Sequence, residues 1–190
     1  AACLESLESV GYPDYRVVVV DNGSSDGSGE RLREDFEWCE FVFTDENHGF
    51  GGGCNAGIDR ALEAGVEHVV LLNNDAVVAS GFLRELVAVA RESGASVVGG
   101  LVRNEADEAI NAAVSDYPDM FFYSGYRTNL PLTSRSARVL DDRWWETDRV
   151  EGAAVLLPRE LLCARRSSVG YYLDDSLFMY GEEVELAMWC

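Results

Sequence analysis

The stretch Arg16-Val17-Val18-Val19-Val20-Asp21-Asn22-Gly23-Ser24-Ser25-Asp26-Gly27-Ser28 decides the fold. Its β-branched run is too short for a helix and is bounded by turn residues, so 16–20 reads as a strand ending in a polar tip. Ser25 or Asp26 is placed to cap a helix running through Leu32. The alternation continues outward from there. Residues 41–44 read as a second strand, 45–53 as a loop, and the residues from there to about 64 as a helix. A third strand over 68–72 ends at Asn73-Asn74-Asp75, and a helix over 81–91 leads to a strand over 96–99. Strands alternating with helices predict an α/β fold with a mostly parallel central sheet flanked by helices. Ligands of such sheets bind beyond the carboxyl ends of the strands, which makes the three polar tips the first candidates for function.

The second half breaks this rhythm. Residues 103–148 are polar, irregular and aromatic-rich, with Tyr123, Tyr126, Trp144 and Trp145, and read either as a binding lobe or as a loose insertion. Strand character returns over 150–157, Pro158 opens a short helix, and Phe178-Met179-Tyr180 leads into a last helix from Gly181. Ala2, Leu4, Leu7 and Val10 are spaced as one face of a helix at the start of the chain. With no internal repeat or low-complexity segment, one domain over 1–190 is expected, with 1–102 as a nucleotide-binding half and 103–190 as an acceptor and catalytic half.

At 190 residues and 47% hydrophobic, the chain can bury a real core. Thirty-four acidic residues against fifteen basic give a net charge of −19, and every basic residue is arginine. Such a surface repels phosphate-rich partners, which argues against nucleic acid as a ligand. An aromatic content of 11% separates the chain from acidic disordered sequences. The acidic, lysine-free composition resembles that of proteins from salt-loving organisms. The cysteines, five in number and without a C-x-x-C pair, support neither a disulfide framework nor a zinc site, so reduced structural thiols are expected. No apolar run approaches the ~18 residues of a transmembrane helix, and no signal peptide opens the chain.

Four constellations offer chemistry. Asp21, at a strand tip with Asn22 and Ser24, is either a local turn or an acceptor for ring N–H groups of a bound base. Asn47-His48-Gly49-Phe50-Gly51-Gly52-Gly53-Cys54-Asn55-Ala56-Gly57 carries five glycines between 49 and 57, a density that calls for close approach to the backbone. Amides at the start of the following helix would suit a diphosphate, a tight helix-to-sheet contact being the plainer reading. The run fits the dinucleotide fingerprint of dehydrogenases poorly, because its glycines stand too far from the preceding strand. Asn73-Asn74-Asp75 offers one carboxylate to a hard cation, Mg or Mn, that also grips diphosphate oxygens. Asp174, Asp175, Glu182, Glu183 and Glu185 cluster within twelve residues, and the apolar Phe178-Met179-Tyr180 predicts that the chain crosses the core just before them. A carboxylate emerging there would have a raised pKa suited to a general base. His48 and His68 have no spacing for a metal pair or a triad.

Together VVVVDNGSSDGS, ENHGFGGGCNAGI, VVLLNNDA, VEGAAVLLPRELL and LDDSLFMYGEEVEL, in order across the chain, resemble family 2 glycosyltransferases of the A-type nucleotide-sugar fold, in particular the rhamnosyltransferase-like branch. The resemblance implies a Rossmann-like sheet and inverting transfer of a sugar from a nucleotide-diphosphate sugar to a hydroxyl of a glycan or lipid-linked glycan. It places Asp21 on the nucleotide base. Asn22, Ser24, Asn47, Gly49, Phe50, Gly53, Asn55, Asn73, Asn74 and Gly152 become donor contacts, with Glu151 beside Gly152, and Asp75 becomes the ligand of a divalent cation. It makes Glu183 or Glu182 the base, where the family commonly has Glu-Asp. It further implies a cytoplasmic enzyme, peripheral to the membrane's inner face when the acceptor is lipid-linked. An opening strand with a Thr-Tyr-Asn-like tip is expected ahead of Ala1, as in a fragment of a longer protein. A nucleotide-sugar-binding domain without catalysis is the alternative, consistent with the Asn-Asn-Asp and Glu-Glu variations.

Overall fold

A computed structural model describes residues 1–103, 110–112, 150, 152–178 and 181–190, with backbone alone for 103, 110–112, 183 and 184. The aromatic-rich stretch and Glu151 therefore lie almost wholly outside the described residues.

The chain opens with helix α1 (Ala2–Glu8), whose Cys3, Leu4 and Leu7 are buried, as the spacing of its apolar residues requires. Strand β1 (Val18–Asp21) and strand β2 (Glu40–Phe43) pair in parallel, with Asp21 opposite Phe43, and helix α2 (Ser28–Asp35) links them. The cap of α2 is Gly27 in the left-handed conformation, not Ser25 or Asp26; Asp26 instead accepts the Ser28 N–H at 3.0 Å.

Helix α3 (Gly49–Glu63) starts four residues before the loop was expected to end, so the glycine run forms its first turns. The helix lies back across the sheet: Gly53 stands beside Asn22 at the end of β1, and Arg60 pairs with Glu40 at the start of β2. Strand β3 (His68–Leu72) therefore begins at the same edge as β1 and β2 and runs in their direction. Its Val69 and Leu71 pack into a core with Ile58 of α3, while Val70 and Leu72 join a second core with α1 on the other face. A strand buried on both faces reads as a continuous apolar run, which explains Val69-Val70-Leu71-Leu72.

Helix α4 (Phe82–Ser93) ends at Gly94 and leads to the short strand β4 (Val98–Gly99), then β5 (Val102–Arg103), which pairs with β6 (Ile110–Ala112). Strand β7 (Ala154–Pro158) lies between β3 and β4 and is antiparallel to both. The parallel arrangement expected of the strands thus holds for β1 and β2 and for the common direction of β3 and β4, with one reversed strand inserted. Pro158 closes β7 and serves as N-cap of helix α5 (Arg159–Val169). Four successive β7 residues are buried, and Leu157 is 0% exposed. Burying a side chain of that size contributes roughly 1.5–3 kcal/mol. A 3-10 turn (Asp175–Leu177) and helix α6 (Glu182–Trp189) complete the described chain. All five cysteines are unpaired thiols, as expected, although Cys163 and Cys190 are exposed rather than structural.

Candidate functional site

The first half of α3 is the junction on which the site is built. On one side stands the tip of β1. Asn22 donates through Nδ2 to Asn47 Oδ1 at 3.1 Å and to the Gly49 carbonyl at 2.8 Å. Its Oδ1 accepts from Thr44 Oγ1 and from the His48 N–H, both at 3.1 Å. Both protons and both lone pairs of this amide are engaged within the protein. Asn22 therefore ties the β1 tip to the start of α3, and its side chain has no hydrogen-bonding capacity left for a nucleotide. Thr44, which the sequence did not single out, completes this knot.

Asp21 is 9% exposed, and its Oδ1 accepts the Ser24 N–H at 2.8 Å. Its other carboxylate oxygen lies against Gly29, where any Cβ would collide with it; glycine is required there by space alone. The carboxylate is thus more enclosed than a tip facing an open crevice, with one oxygen holding the loop that carries Ser24.

On the other side of α3 stands the segment before α6. Gly49 has φ +74, and a Cβ on it would come within 2.8 Å of Phe178 Cα. Gly51 likewise lies under Asp174, whose carbonyl would stand 2.9 Å from a Cβ. The Phe50 N–H donates to the Phe178 carbonyl at 2.7 Å, and the Gly49 N–H to Asn47 Oδ1 at 2.9 Å. These two amides at the helix start, expected to cradle a diphosphate, are occupied by protein acceptors. Gly49 and Gly51 serve the close approach of the 174–178 segment, while Gly57 packs on Val20 of β1, where a Cβ would come within 2.9 Å, so the tight helix-to-sheet contact holds there. Asn55, expected as a donor contact, pairs with the backbone of Leu173 through both side-chain atoms, at 2.8 and 2.9 Å, as a neighbouring strand would.

Phe178 itself is 52% exposed and has φ 58, so the chain does not pass through the core at this point as its apolar character predicted. That conformation lies near the strained γ-turn region and costs on the order of 1–3 kcal/mol. The Phe50 hydrogen bond and the contact with Gly49 hold it there. Met179 and Tyr180 lie outside the described residues. Asp174 caps the 3-10 turn, its Oδ1 accepting from Ser176 N–H and Oγ, and these bonds hold its carboxyl below the usual carboxylate range.

The acid pair follows. Glu182, first in α6, is 2% exposed, and its Oε1 has no hydrogen-bond partner. Cys54 of α3 and Leu186 of α6 pack into one core cluster, and burial, followed by the charge of Glu182, pushes the Cys54 thiol up to about 12. Glu183 stands next in the helix, and its side chain is outside the described residues. Arg165 of α5 fixes α6 from behind. Its guanidinium is 0% exposed, donates through Nε to the Tyr172 carbonyl at 2.5 Å, pairs with Glu185, and lies over the rings of Tyr171 and Trp189. No spacing rule in the sequence marks this arginine.

The β3 tip is built separately. The Asn73 N–H donates to the Ala153 carbonyl at 2.9 Å, next to Gly152, and its carbonyl accepts from Cys3 Sγ at 3.7 Å. Asn74 and Asp75 are exposed. Burial first, and Asp75 in addition, raise the Cys3 thiol, so the Asp75 carboxylate is within electrostatic reach of the start of α1. Asp21 closes β1 and Asp75 follows β3, so each stands at the carboxyl end of its own strand; among the described residues these strands belong to two separate sheets, β1-β2 and β3-β7-β4. No group of three His, Cys, Asp or Glu side chains among the described residues could hold an ion alone. One exposed carboxylate suits only a cation whose remaining ligands come from substrate and water. At the opposite edge a cleft of about 240 Å³ lies between His68, Arg91, Ser96 and Glu160, far from every candidate.

Known proteins share this fold. A chain of the S. aureus protein TarS, residues 1–349, solved in complex with UDP, superposes with a TM-score of 0.62 at 17% identity, over 98% of this chain and 49% of that one. A second structure of S. aureus TarS 1–349 gives a TM-score of 0.59 at 18% identity, over 98% of this chain and 49% of that one. The likeness is one of fold. In sequence, the chain is 28% identical over 174 residues to the low-salt glycan biosynthesis hexosyltransferase Agl10 of Haloferax volcanii, covering 88% of this chain and 50% of that protein. It is 32% identical over 105 residues to the glycosyltransferase AglE of the same organism, covering 53% of this chain and 34% of that protein. The chain thus spans at most half the length of these curated relatives. The family model described as glycosyl transferase family 2 matches residues 1–154, which takes in the β1, β3 and glycine-helix motifs, and the chain belongs to that family.

Proposed function

We propose that this chain is the sugar-transfer domain of a hexosyltransferase, moving a hexose from a nucleotide-diphosphate sugar to a hydroxyl of a glycan or lipid-linked glycan with inversion at the anomeric carbon. One observation carries the reading: the first half of α3 is gripped by the β1 tip through Asn22 and by the acidic segment through Phe178, and its Cys54 packs in one cluster with Leu186 of α6, so the donor end and the helix of the acid pair meet at α3. The UDP in the TarS complex and the hexosyltransferase relative support a nucleotide-sugar donor.

In this reading Asp21 receives the nucleotide base, and Ser24 and Gly53 line the donor beside it. Asn22, Asn47 and Asn55 act by holding their loops in place. Asp75, flanked by Asn73 and Asn74, would hold a magnesium or manganese ion shared with the diphosphate. That ion, when bound, offsets the charge developing on the departing diphosphate. Glu182 is too enclosed to meet an acceptor, which leaves Glu183, next on the helix, to take the proton of the attacking hydroxyl. Residues 1–102 supply the donor half of a single domain and 103–190 the acceptor half. No helix among the described residues is long and apolar enough to cross a membrane, and a lipid-linked acceptor would bring the enzyme to the cytoplasmic face as a peripheral protein.

The test is a melting-temperature screen of nucleoside diphosphates with Mn²⁺ or Mg²⁺ on the full-length protein in high salt, followed by turnover of UDP-hexoses. Glu183→Gln is expected to keep donor binding and lose turnover, and Asp75→Ala to lose the metal-dependent part of binding. Binding without turnover in the unaltered protein would favour the non-catalytic domain instead.

A further inference from the structure

The geometry points to Phe178 as the platform on which the sugar ring of the acceptor stacks, an assignment that rests on the transferase reading above. Two independent costs meet at this residue. Its φ of 58 is one that glycine adopts freely and a side chain resists, and its ring is left 52% exposed. A turn with no other duty would be better served by glycine, which removes both penalties. A large apolar ring held in a strained turn, with one edge on Gly49 and about half its surface open, is the arrangement of a residue whose partner arrives from solution.

The ring is also fixed in place. The Phe178 carbonyl takes the Phe50 N–H at 2.7 Å, and its Cα packs on Gly49, so it stands at the junction that ties the β1 tip to α3. Asp175, exposed and in the same 3-10 turn, accepts the Phe178 N–H through its carbonyl at 3.3 Å. Four residues further along the chain is Glu182, with Glu183 next. A pyranose presents apolar C–H faces and a rim of hydroxyls, so its recognition asks for an aromatic face with hydrogen-bond acceptors beside it. Phe178 supplies the first and Asp175 the second. Their place immediately ahead of the proposed base assigns them to the acceptor rather than the donor.

The experiment uses the full-length protein with UDP and Mn²⁺, and as probes methyl β-D-glucopyranoside, methyl α-D-mannopyranoside and methyl β-D-galactopyranoside, read by saturation-transfer NMR titration. At least one glycoside is expected to bind. Phe178→Ala and Phe178→Gly should each weaken it about tenfold, the equivalent of one ring contact, while Phe178→Trp retains it. UDP affinity should stay unchanged throughout, and Phe178→Gly should melt no lower than the unaltered protein, because glycine relieves the turn. Equal glycoside affinity in all variants overturns the assignment, as does an unaltered protein that binds UDP but none of the three glycosides. So does a Phe178→Gly variant that melts lower and loses UDP together with the sugar. Failure of the unaltered protein to bind UDP overturns the transferase reading itself and the platform with it.

Discussion

Arg165, with no exposure to solvent, pairs with Glu185 one turn beyond Glu182 and so binds α5 to the helix that carries the acid pair. Burial depresses the pKa of this guanidinium, and its Nη1 has no hydrogen-bond partner. The ion pair, the Tyr172 carbonyl and the rings of Tyr171 and Trp189 together compensate this buried charge. Glu185→Ala is expected to cost about 3–5 kcal/mol in urea unfolding, because it strands that charge. The double variant Arg165→Met/Glu185→Leu should be milder than Glu185→Ala alone. A double variant no more stable than the single one would show that the pair's electrostatics are not what holds α6.

Gly49→Ala tests the clamp on α3. The residue must keep φ +74 and leave room for Phe178, and alanine meets neither demand. A loss of about 2 kcal/mol or more is expected, strain and overpacking acting together. Gly170→Ala is the control, since Gly170 has φ +93 and nothing within 4 Å of a Cβ. It should cost only its backbone strain, about 1 kcal/mol. Equal losses at the two positions, measured by denaturant unfolding, would contradict the close approach.

Thiol labelling at pH 8 should separate the cysteines. Cys163 is exposed and should react in the native protein. Burial pushes the Cys54 thiol up to about 12 and the Cys39 thiol to about 11. At pH 8 the reactive thiolate of Cys54 is then about one part in ten thousand, so labelling should await unfolding. Because these folded-state values lie above the ordinary thiol value of 9.0, their contribution to stability is intact below pH 9 and is lost as pH rises from there toward 12. Rapid native labelling of Cys54, located by mass spectrometry, would refute the burial.

Salt should stabilise the protein. A charge of −19 on 190 residues repels itself within the folded state, and added ions screen that repulsion. The melting temperature is expected to rise steadily from about 0.1 M to about 2 M KCl, where the Debye length falls below roughly 3 Å. A flat or falling curve would count against a salt-adapted surface.

The legibility of the sequence varied with the kind of signal. β3 could be read because a strand buried on both faces must be apolar at every position, and β1 because valines run directly into Asp21-Asn22-Gly23. The start of α3 was misplaced because glycines are poor helix formers, and here they are retained for the passage of the 174–178 segment. Aromatic character predicts burial on average, whereas Phe178 is exposed by a strained turn, φ 58 and ψ −51, that has no local signature. Asn22 and Asn55 looked like ligand contacts, since an asparagine bonds a nucleotide or a neighbouring backbone with the same atoms.

The order of motifs along the chain was enough by itself to give the α/β class, the place of Asp21 and Asp75 at the ends of their own strands, and the family. These depend on local runs and turns, whose physics operates within a few residues. Tertiary structure alone decided which polar groups are already engaged. It turned β7 against β3 and β4, packed Cys54 with Leu186 beside the buried Glu182, paired Arg165 with Glu185 and closed Asn22 into a knot. Each of these joins residues about 20 or more positions apart, and nothing in the pattern near either partner specifies the contact.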